Sequence, residues 1–277
     1  MPKPDANTGN TGNWVMRILN MPNDSVEKTL VVAVVMCLVC AVIVASAAVF
    51  LKPIQLVNQT LDVKKNILQA GDLYEEGMNI NEAFKEKVEV RIVDLDSGDY
   101  TDAVDPATYD QRKAAGDPEL SEAVPPDQDI AKVKRRAKYA PVYLIKDGEQ
   151  LKTLILPVRG YGLWSMMYAF IALEPDLETV EAVKFYEQGE TAGLGGEVAN
   201  PDWQAKWAGK KVFDDKGTPQ IGLIKGTVDS STPDAEYKID GLAGSTLTSR
   251  GVTNLMHYWL GENGFGPYLD RLKNEKG

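Results

Sequence analysis

Histidine and cysteine are almost absent from this 277-residue chain, which has one histidine, His257, and two cysteines, Cys37 and Cys40. A single imidazole excludes a multi-histidine metal centre and haem ligation by several histidines, so His257 reads as a surface or packing residue of a helix. Both cysteines fall inside one apolar run, and the rest of the chain has no thiol and no disulfide framework. Their C-x-x-C spacing puts the two thiols on one helix face, where a metal or redox role would need ligands from another chain or from distant residues. The plainer reading is two small apolar groups that pack between membrane helices. An excess of base is missing too: 30 Lys and Arg stand against 40 Asp and Glu, a net charge of −10. Up to Leu51 the charges balance, Lys3, Arg17 and Lys28 against Asp5, Asp24 and Glu27, so the acidic excess belongs to the residues beyond Leu51. An acidic surface repels nucleic acid and anionic headgroups, and no nucleic-acid partner is expected.

No charged residue occurs from Leu30 to Leu51. At 1.5 Å per residue such a run spans roughly 30 Å of hydrocarbon and reads as one transmembrane helix. Ala45-Ser-Ala47 has the look of a cleavage site, yet the run exceeds a signal-peptide core and its leading segment is long and not clearly basic, which favours a retained anchor. The expected organisation is a tail over residues 1–28 with a short helix around Trp14 to Leu19, an anchor over 29–52, and a large domain over 53–277. Flanking charge does not orient the anchor, because Arg17 and Lys28 on one side face Lys52, Lys64 and Lys65 on the other.

Beyond Pro53 the apolar positions Leu56, Leu61, Ile67 and Leu68 predict a stalk helix up to Gly71, and Asn79 to Val88 predicts another. Alternation over Val88 to Leu95 predicts a strand. Residues 96–137 carry little periodicity and read as an exposed excursion, ended by the solvated basic cluster Lys132, Lys134, Arg135, Arg136 and Lys138. Strands are predicted over Pro141 to Ile145, Leu151 to Val158, Met166 to Leu173 and Val180 to Gln188, with turns at Asp147-Gly148, Gly160 to Gly162 and Glu174-Pro-Asp. Strands in series with tight turns make an antiparallel sheet. Pro201 to Ala208 reads as a short helix, and Gly222 to Thr227 and Tyr237 to Leu242 as strands. The fold class is α+β, an antiparallel sheet with flanking helices plus the N-terminal transmembrane helix.

Three stretches carry candidate chemistry. In Asp240-Gly-Leu-Ala-Gly-Ser-Thr-Leu-Thr-Ser-Arg-Gly-Val252, the hydroxyls of Ser245, Thr246, Thr248 and Ser249 crowd a glycine turn. Leu247, Val252, Leu255, Met256, Trp259 and Leu260 then recur as one apolar helix face. A helix N-terminus offers free N–H groups and a positive dipole end, suited to a phosphate, although hydroxyls there also serve as plain caps. Gly189-Glu-Thr-Ala-Gly-Leu-Gly-Gly-Glu197 packs four glycines into nine residues, either a structural turn or a loop that lets backbone approach a flat ligand. Arg159-Gly-Tyr-Gly-Leu-Trp-Ser-Met-Met-Tyr-Ala-Phe170 turns on glycines and then alternates; its aromatics are core by default.

Asp240-Gly-Leu-Ala-Gly-Ser-Thr246 resembles the flavin-attachment motif of the FMN-binding-domain family of membrane redox subunits, with Ala243 and Ser245 as departures. Glu190 to Glu197 resembles the family's isoalloxazine-contacting stretch, departing only at Ala192. With Lys64-Lys-Asn-Ile-Leu68 and residues 159–170, the likeness runs from the anchor to Tyr268. It implies FMN joined by a phosphoester to Thr246 by a flavin transferase. It also implies a large domain outside the cytoplasm, periplasmic at a bacterial inner membrane, and electron relay beside other membrane subunits of a sodium-pumping NADH:quinone reductase. Two other readings are a homologous ferredoxin-linked complex and an unflavinylated anchored assembly module. Around the flavin the likeness places Trp164, Glu190, Thr191, Gly193, Leu194, Gly195, Asp240, Gly244, Ser245, Leu247 and Thr248. Lys225 is a candidate cation near the flavin ring or phosphate, or else a surface lysine. No NADH site is expected on this chain.

Overall fold

The computed structural model describes residues 16–276 apart from Leu19 and Asp24, and of the helix expected around Trp14 to Leu19 it includes residues 16–18, which are helical, the others lying outside the described residues. The chain divides after Thr60 into two compact units. Helix α1, Val26–Ala70, is continuous through Pro53, so the anchor and stalk expected as separate pieces form one element. Proline costs that helix one hydrogen bond and still leaves it unbroken. It is the one described helix long and apolar enough to cross a membrane. Val34, Met36, Leu38, Val42, Val44 and Phe50 all stand exposed along it, as do Cys37 and Cys40.

In the second unit, α2 (Ile80–Lys87) is capped by the Asn79 side chain, which accepts from the N–H groups of Asn81 and Glu82. It leads into β1 (Val88–Asp94), and the chain then forms α3 (Gln111–Gly116), β2 (Ser121–Ala123), β3 (Arg135–Ala137), β4 (Tyr139–Asp147), β5 (Gln150–Tyr161), β6 (Met166–Leu173) and β7 (Val180–Glu187). One five-stranded antiparallel sheet runs in the order β1-β4-β5-β6-β7. The excursion expected to be irregular therefore holds a helix and a two-stranded pair, β2 with β3. The basic cluster is only partly a solvated face. Arg135 donates to the Ser121 Oγ and carbonyl, Arg136 to the Asn263 carbonyl and the Asp96 carboxylate, and Lys138 to the Glu119 carbonyl.

Both faces of the sheet are covered, which is why β5 and β6 read as near-continuous apolar runs. On one face Ile145, Ile155, Phe170 and Ala172 pack with Ile67, Leu68 and Ala70 from the end of α1. On the other, Leu154, Leu156, Val158, Ala169 and Ile171 pack with Val252, Leu255, Met256 and Trp259 of α5 (Thr246–Leu260). Helix α6 (Gly266–Lys276) adds Tyr268, Leu269 and Leu272 to that core. A short helix α4 (Pro201–Gln204), followed by a 3-10 turn through Trp207, stands where a short helix was expected. The late strands are much shorter than their expected spans. Only β8 (Gly222–Leu223) and β9 (Lys238–Ile239) pair, in parallel, because the chain leaves the ladder at a bend on one side and at the glycine-rich turn on the other.

Helix α5 sits unusually close to the end of β5. A Cβ on Gly251 would lie 2.6 Å from the Tyr161 carbonyl, and one on Gly160 would overlap Leu255. This approach sets the N-terminal half of α5 beside the loop that joins β5 to β6, residues 162–165.

Candidate functional site

Three segments meet at one buried carboxylate. Glu190 is 8 % exposed, so its charge needs partners within the protein. It accepts hydrogen bonds from the backbone N–H groups of Leu163 (3.0 Å), Trp164 (2.9 Å) and Ser165 (3.0 Å), and from the Thr248 hydroxyl (2.7 Å). Burial acts to raise its pKa, but the Thr248 hydroxyl and those three amides outweigh it and hold the group below its ordinary value. Glycines leave room for this arrangement. A Cβ on Gly162 would lie 2.6 Å from the Glu190 Oε1, and one on Gly195 would lie 2.5 Å from the Thr248 Oγ1. Ser165 completes the join, its Oγ accepting from the Gly189 N–H at 2.7 Å.

The clasp ties the 162–165 loop, the 189–195 loop and the first turns of α5 into one surface, and that surface is apolar. In the second unit the exposed large apolar side chains are Ile130, Tyr161, Leu163, Trp164, Leu194 and Leu247. Leu163 and Trp164 lie on the clasped loop, Leu194 on the glycine loop and Leu247 in the first turn of α5. Trp164 is 66 % exposed, an indole held out from the surface rather than packed in a core. Tyr161 braces it by donating from its hydroxyl to the Trp164 carbonyl at 3.0 Å. Sequence reasoning singled out Trp164 but left Tyr161 among the core aromatics and did not mark Leu163. The flanking glycines were the available signal, since they mark a loop pressed against a neighbour.

The Asp240 to Val252 stretch enters α5 through Gly244, at φ +68, a left-handed conformation glycine adopts without steric cost. Leu194 packs there, 3.1 Å from where a Gly244 Cβ would stand. The four hydroxyls separate cleanly. Ser245 and Thr248 are buried 3.4 Å apart, and Ser249 is buried with its Oγ accepting from the Leu242 N–H at 3.1 Å. Thr246 is exposed, the first residue of α5. Ser245 occupies the N-cap position, yet no side chain caps this helix, so the cap reading is not what the hydroxyls do.

Upstream, Asp240 has both oxygens engaged. It accepts from the Val228 N–H at 2.7 Å and pairs with Lys206 at 2.6 Å, while its carbonyl accepts from the Trp203 indole N–H. Burial acts upward on its pKa, but Lys206 and the Val228 amide keep it low. Its side chain therefore braces the turn, and Lys206 is a positioning partner that no sequence pattern marked. Lys225 is exposed in the bend after β8 rather than within the strand expected there. That bend abuts the motif, with the Gly241 N–H donating to the Gly226 carbonyl at 2.8 Å. Thr191 and Gly193 lie exposed on the glycine loop, and Gly195 is buried under it. His257 donates from Nε2 to the Ile221 carbonyl, 2.8 Å away, and burial lowers its pKa. It packs and bridges, remote from the clasp. Among the described residues no group of three or more His, Cys, Asp or Glu is arranged to hold a metal ion.

Comparison with known proteins agrees with this geometry. A family described as FMN-binding domain matches residues 162–261, a span that opens at the clasped loop and closes just past α5. The crystal structure of Shewanella oneidensis NqrC superposes with a TM-score of 0.71 at 36 % identity, covering 77 % of this chain and 97 % of that one. The NqrC subunit of the Na(+)-translocating NADH-quinone reductase of Pseudomonas aeruginosa is 51 % identical over 253 residues, 90 % of this chain and 97 % of that protein. Its counterpart in Haemophilus ducreyi is 49 % identical over 92 % of this chain and 97 % of its own. On identity of this extent along nearly the whole length of its relatives, the chain belongs to the NqrC family of Na(+)-translocating NADH-quinone reductase subunits.

Proposed function

We propose that this chain carries electrons within a membrane NADH-to-quinone reductase that pumps Na+, through an FMN joined to the Thr246 oxygen by a phosphoester bond. The observation that carries this reading is the exposure of Thr246 alone among the four hydroxyls, at the uncapped start of a helix that Thr248 ties through Glu190 to the loop bearing the exposed Trp164 indole. The residues present fit the group. The first-turn N–H groups and helix dipole suit a phosphate's remaining charge, and Trp164, Leu194 and Leu247 offer apolar surface to a flat ring. Bound FMN supplies the electron-carrying chemistry. The protein's part is to hold and orient it, and to set the charge around it.

Glu190 acts at one remove, keeping the Trp164 loop against α5, and Lys225 contributes a positive charge at the edge of the motif. Helix α1 is the anchor, with the domain on the periplasmic side and other membrane subunits of the reductase around it. A tether suits that location, because flavin lost outside the cytoplasm is not readily replaced and attachment keeps it at high effective concentration.

Thr246→Ala, expressed with a flavin transferase, is expected to fold yet show neither the mass gain of an FMN phosphoester nor flavin fluorescence in a denaturing gel, whereas Ser245→Ala keeps both. Covalent flavin retained by the Thr246 variant would refute the assignment. Glu190→Gln is expected to cost about 1.5–3 kcal/mol through lost hydrogen bonds to the ion. Because the folded-state pKa is lowered, the ion's contribution is fully present above the unfolded value of about 4.3 and is lost as pH falls through the folded value. Urea unfolding should therefore show a gap between wild type and variant at neutral pH that closes in acid, and a gap indifferent to pH would contradict this role. Lys225→Met should leave covalent flavin in place and lower its midpoint potential, by the equivalent of about 1 kcal/mol if the charge acts in water-like surroundings. An unchanged potential returns Lys225 to plain surface. A cysteine-labelling reporter at residue 120 should react from the periplasm in intact cells, and one before Met16 should not; the reverse pattern overturns the orientation.

A further inference from the structure

The 96–137 segment meets the central sheet through a second cluster of charges, at the other end of α5. Arg112 of α3 lays its guanidinium over the Tyr168 ring, 3.5 Å from the centroid, and donates to Glu187 at 2.7 Å and to the Tyr186 hydroxyl at 3.1 Å. Across a cleft of about 30 Å³ that Trp259 also lines stands Arg159 of β5, directly opposite Tyr168 in the β5–β6 register. Arg159 donates from Nη2 to the Arg135 carbonyl at 2.8 Å, but its Nε is buried with no partner among the described residues. Tyr168, which also hydrogen-bonds the side chain, Tyr258 and Arg112 are the main groups acting on its charge, and among the described residues no carboxylate forms an ion pair with it. Burial lowers its pKa and Arg112 acts in the same sense, yet a guanidinium does not give up its proton in a protein. A partly buried cation without a counter-charge is costly, the more so facing a second cation. Glu187 already serves Arg112 and is itself largely solvated.

We propose that this cleft binds a small inorganic monoanion of halide size, held between the guanidiniums of Arg112 and Arg159 and fastening the 96–137 segment to the sheet. The volume suits a group the size of a water molecule or somewhat larger, and so admits a monatomic anion but not an organic phosphate. Arg112 and Arg159 both line the cleft, so their guanidiniums bring two positive charges to its wall. The site is separate from the proposed flavin attachment. Trp259, whose indole donates to the Arg159 carbonyl at 2.6 Å, lies near the opposite end of α5 from Thr246, roughly 20 Å away at 1.5 Å per residue.

The test uses the full-length chain in detergent. At constant ionic strength its melting temperature in sodium chloride or bromide should exceed that in sodium gluconate by about 2–4 °C, and the difference should saturate with halide concentration. Arg159→Gln or Arg112→Gln should abolish the halide-specific part. Crystals grown in bromide should show an anomalous peak between the two guanidiniums, which keeps the proposal testable even if a variant fails to fold. Absence of that peak overturns the proposal whatever the melting data, as does a carboxylate of another subunit filling the cleft in the assembled reductase.

Discussion

A carboxylate removed from water has to be satisfied by the protein around it, and in this domain the satisfaction of Glu190 organises the surface. Its two oxygens gather three consecutive amides of the 163–165 loop and the hydroxyl of Thr248. These belong to parts of the chain far apart in sequence, so the bonds determine where the loop, the glycine segment and α5 lie with respect to one another. Successive N–H groups converging on one anion make a preorganised nest. Loss of the whole carboxyl group would leave three amides unpaired as well as releasing one hydroxyl.

The clasp has two outward consequences. It holds Trp164 clear of the core, with the Tyr161 hydroxyl bracing it from behind. It also sorts the hydroxyls at the start of α5: Thr248 is drawn inward to the carboxylate, Ser245 follows it, and Ser249 accepts from the Leu242 amide. Thr246 is left facing outward. The proposed chemistry of attachment thus gains its selectivity from burial rather than from any difference in hydroxyl reactivity. Asp240 performs a similar service one turn earlier, joining Lys206, Val228 and Trp203 around the entry to the turn.

The opposite end of α5 shows the same economy of charge in reverse. There two guanidiniums converge where one carboxylate is available, and the segment between β1 and β4 is fastened to the sheet through Arg112, Tyr168 and Tyr186. This segment looked irregular because its apolar content is low. It is ordered by specific polar contacts, such as Arg135 with Ser121 and Tyr109 with the Tyr139 carbonyl, which leave no periodic trace in a sequence.

Local patterns were enough to determine the five strands of the central sheet, the helix from Thr246 to Leu260 and the apolar anchor run, because each repeats at the period of its own backbone geometry. The motif at Asp240 to Thr246 and the glycines from 189 to 196 were likewise visible in the sequence, and the fold brings them together. Tertiary structure alone decided the rest. Strands β8 and β9 are two residues each, since a parallel pair in this corner ends where neighbouring turns begin. Lys225 leaves the ladder for a bend, and Pro53 leaves the long helix whole. The choice of Thr246 as the exposed hydroxyl was also beyond the sequence, where four similar residues stand together. It depends on Glu190, fifty-eight positions away from Thr248, and a contact of that separation has no signature until the chain is folded.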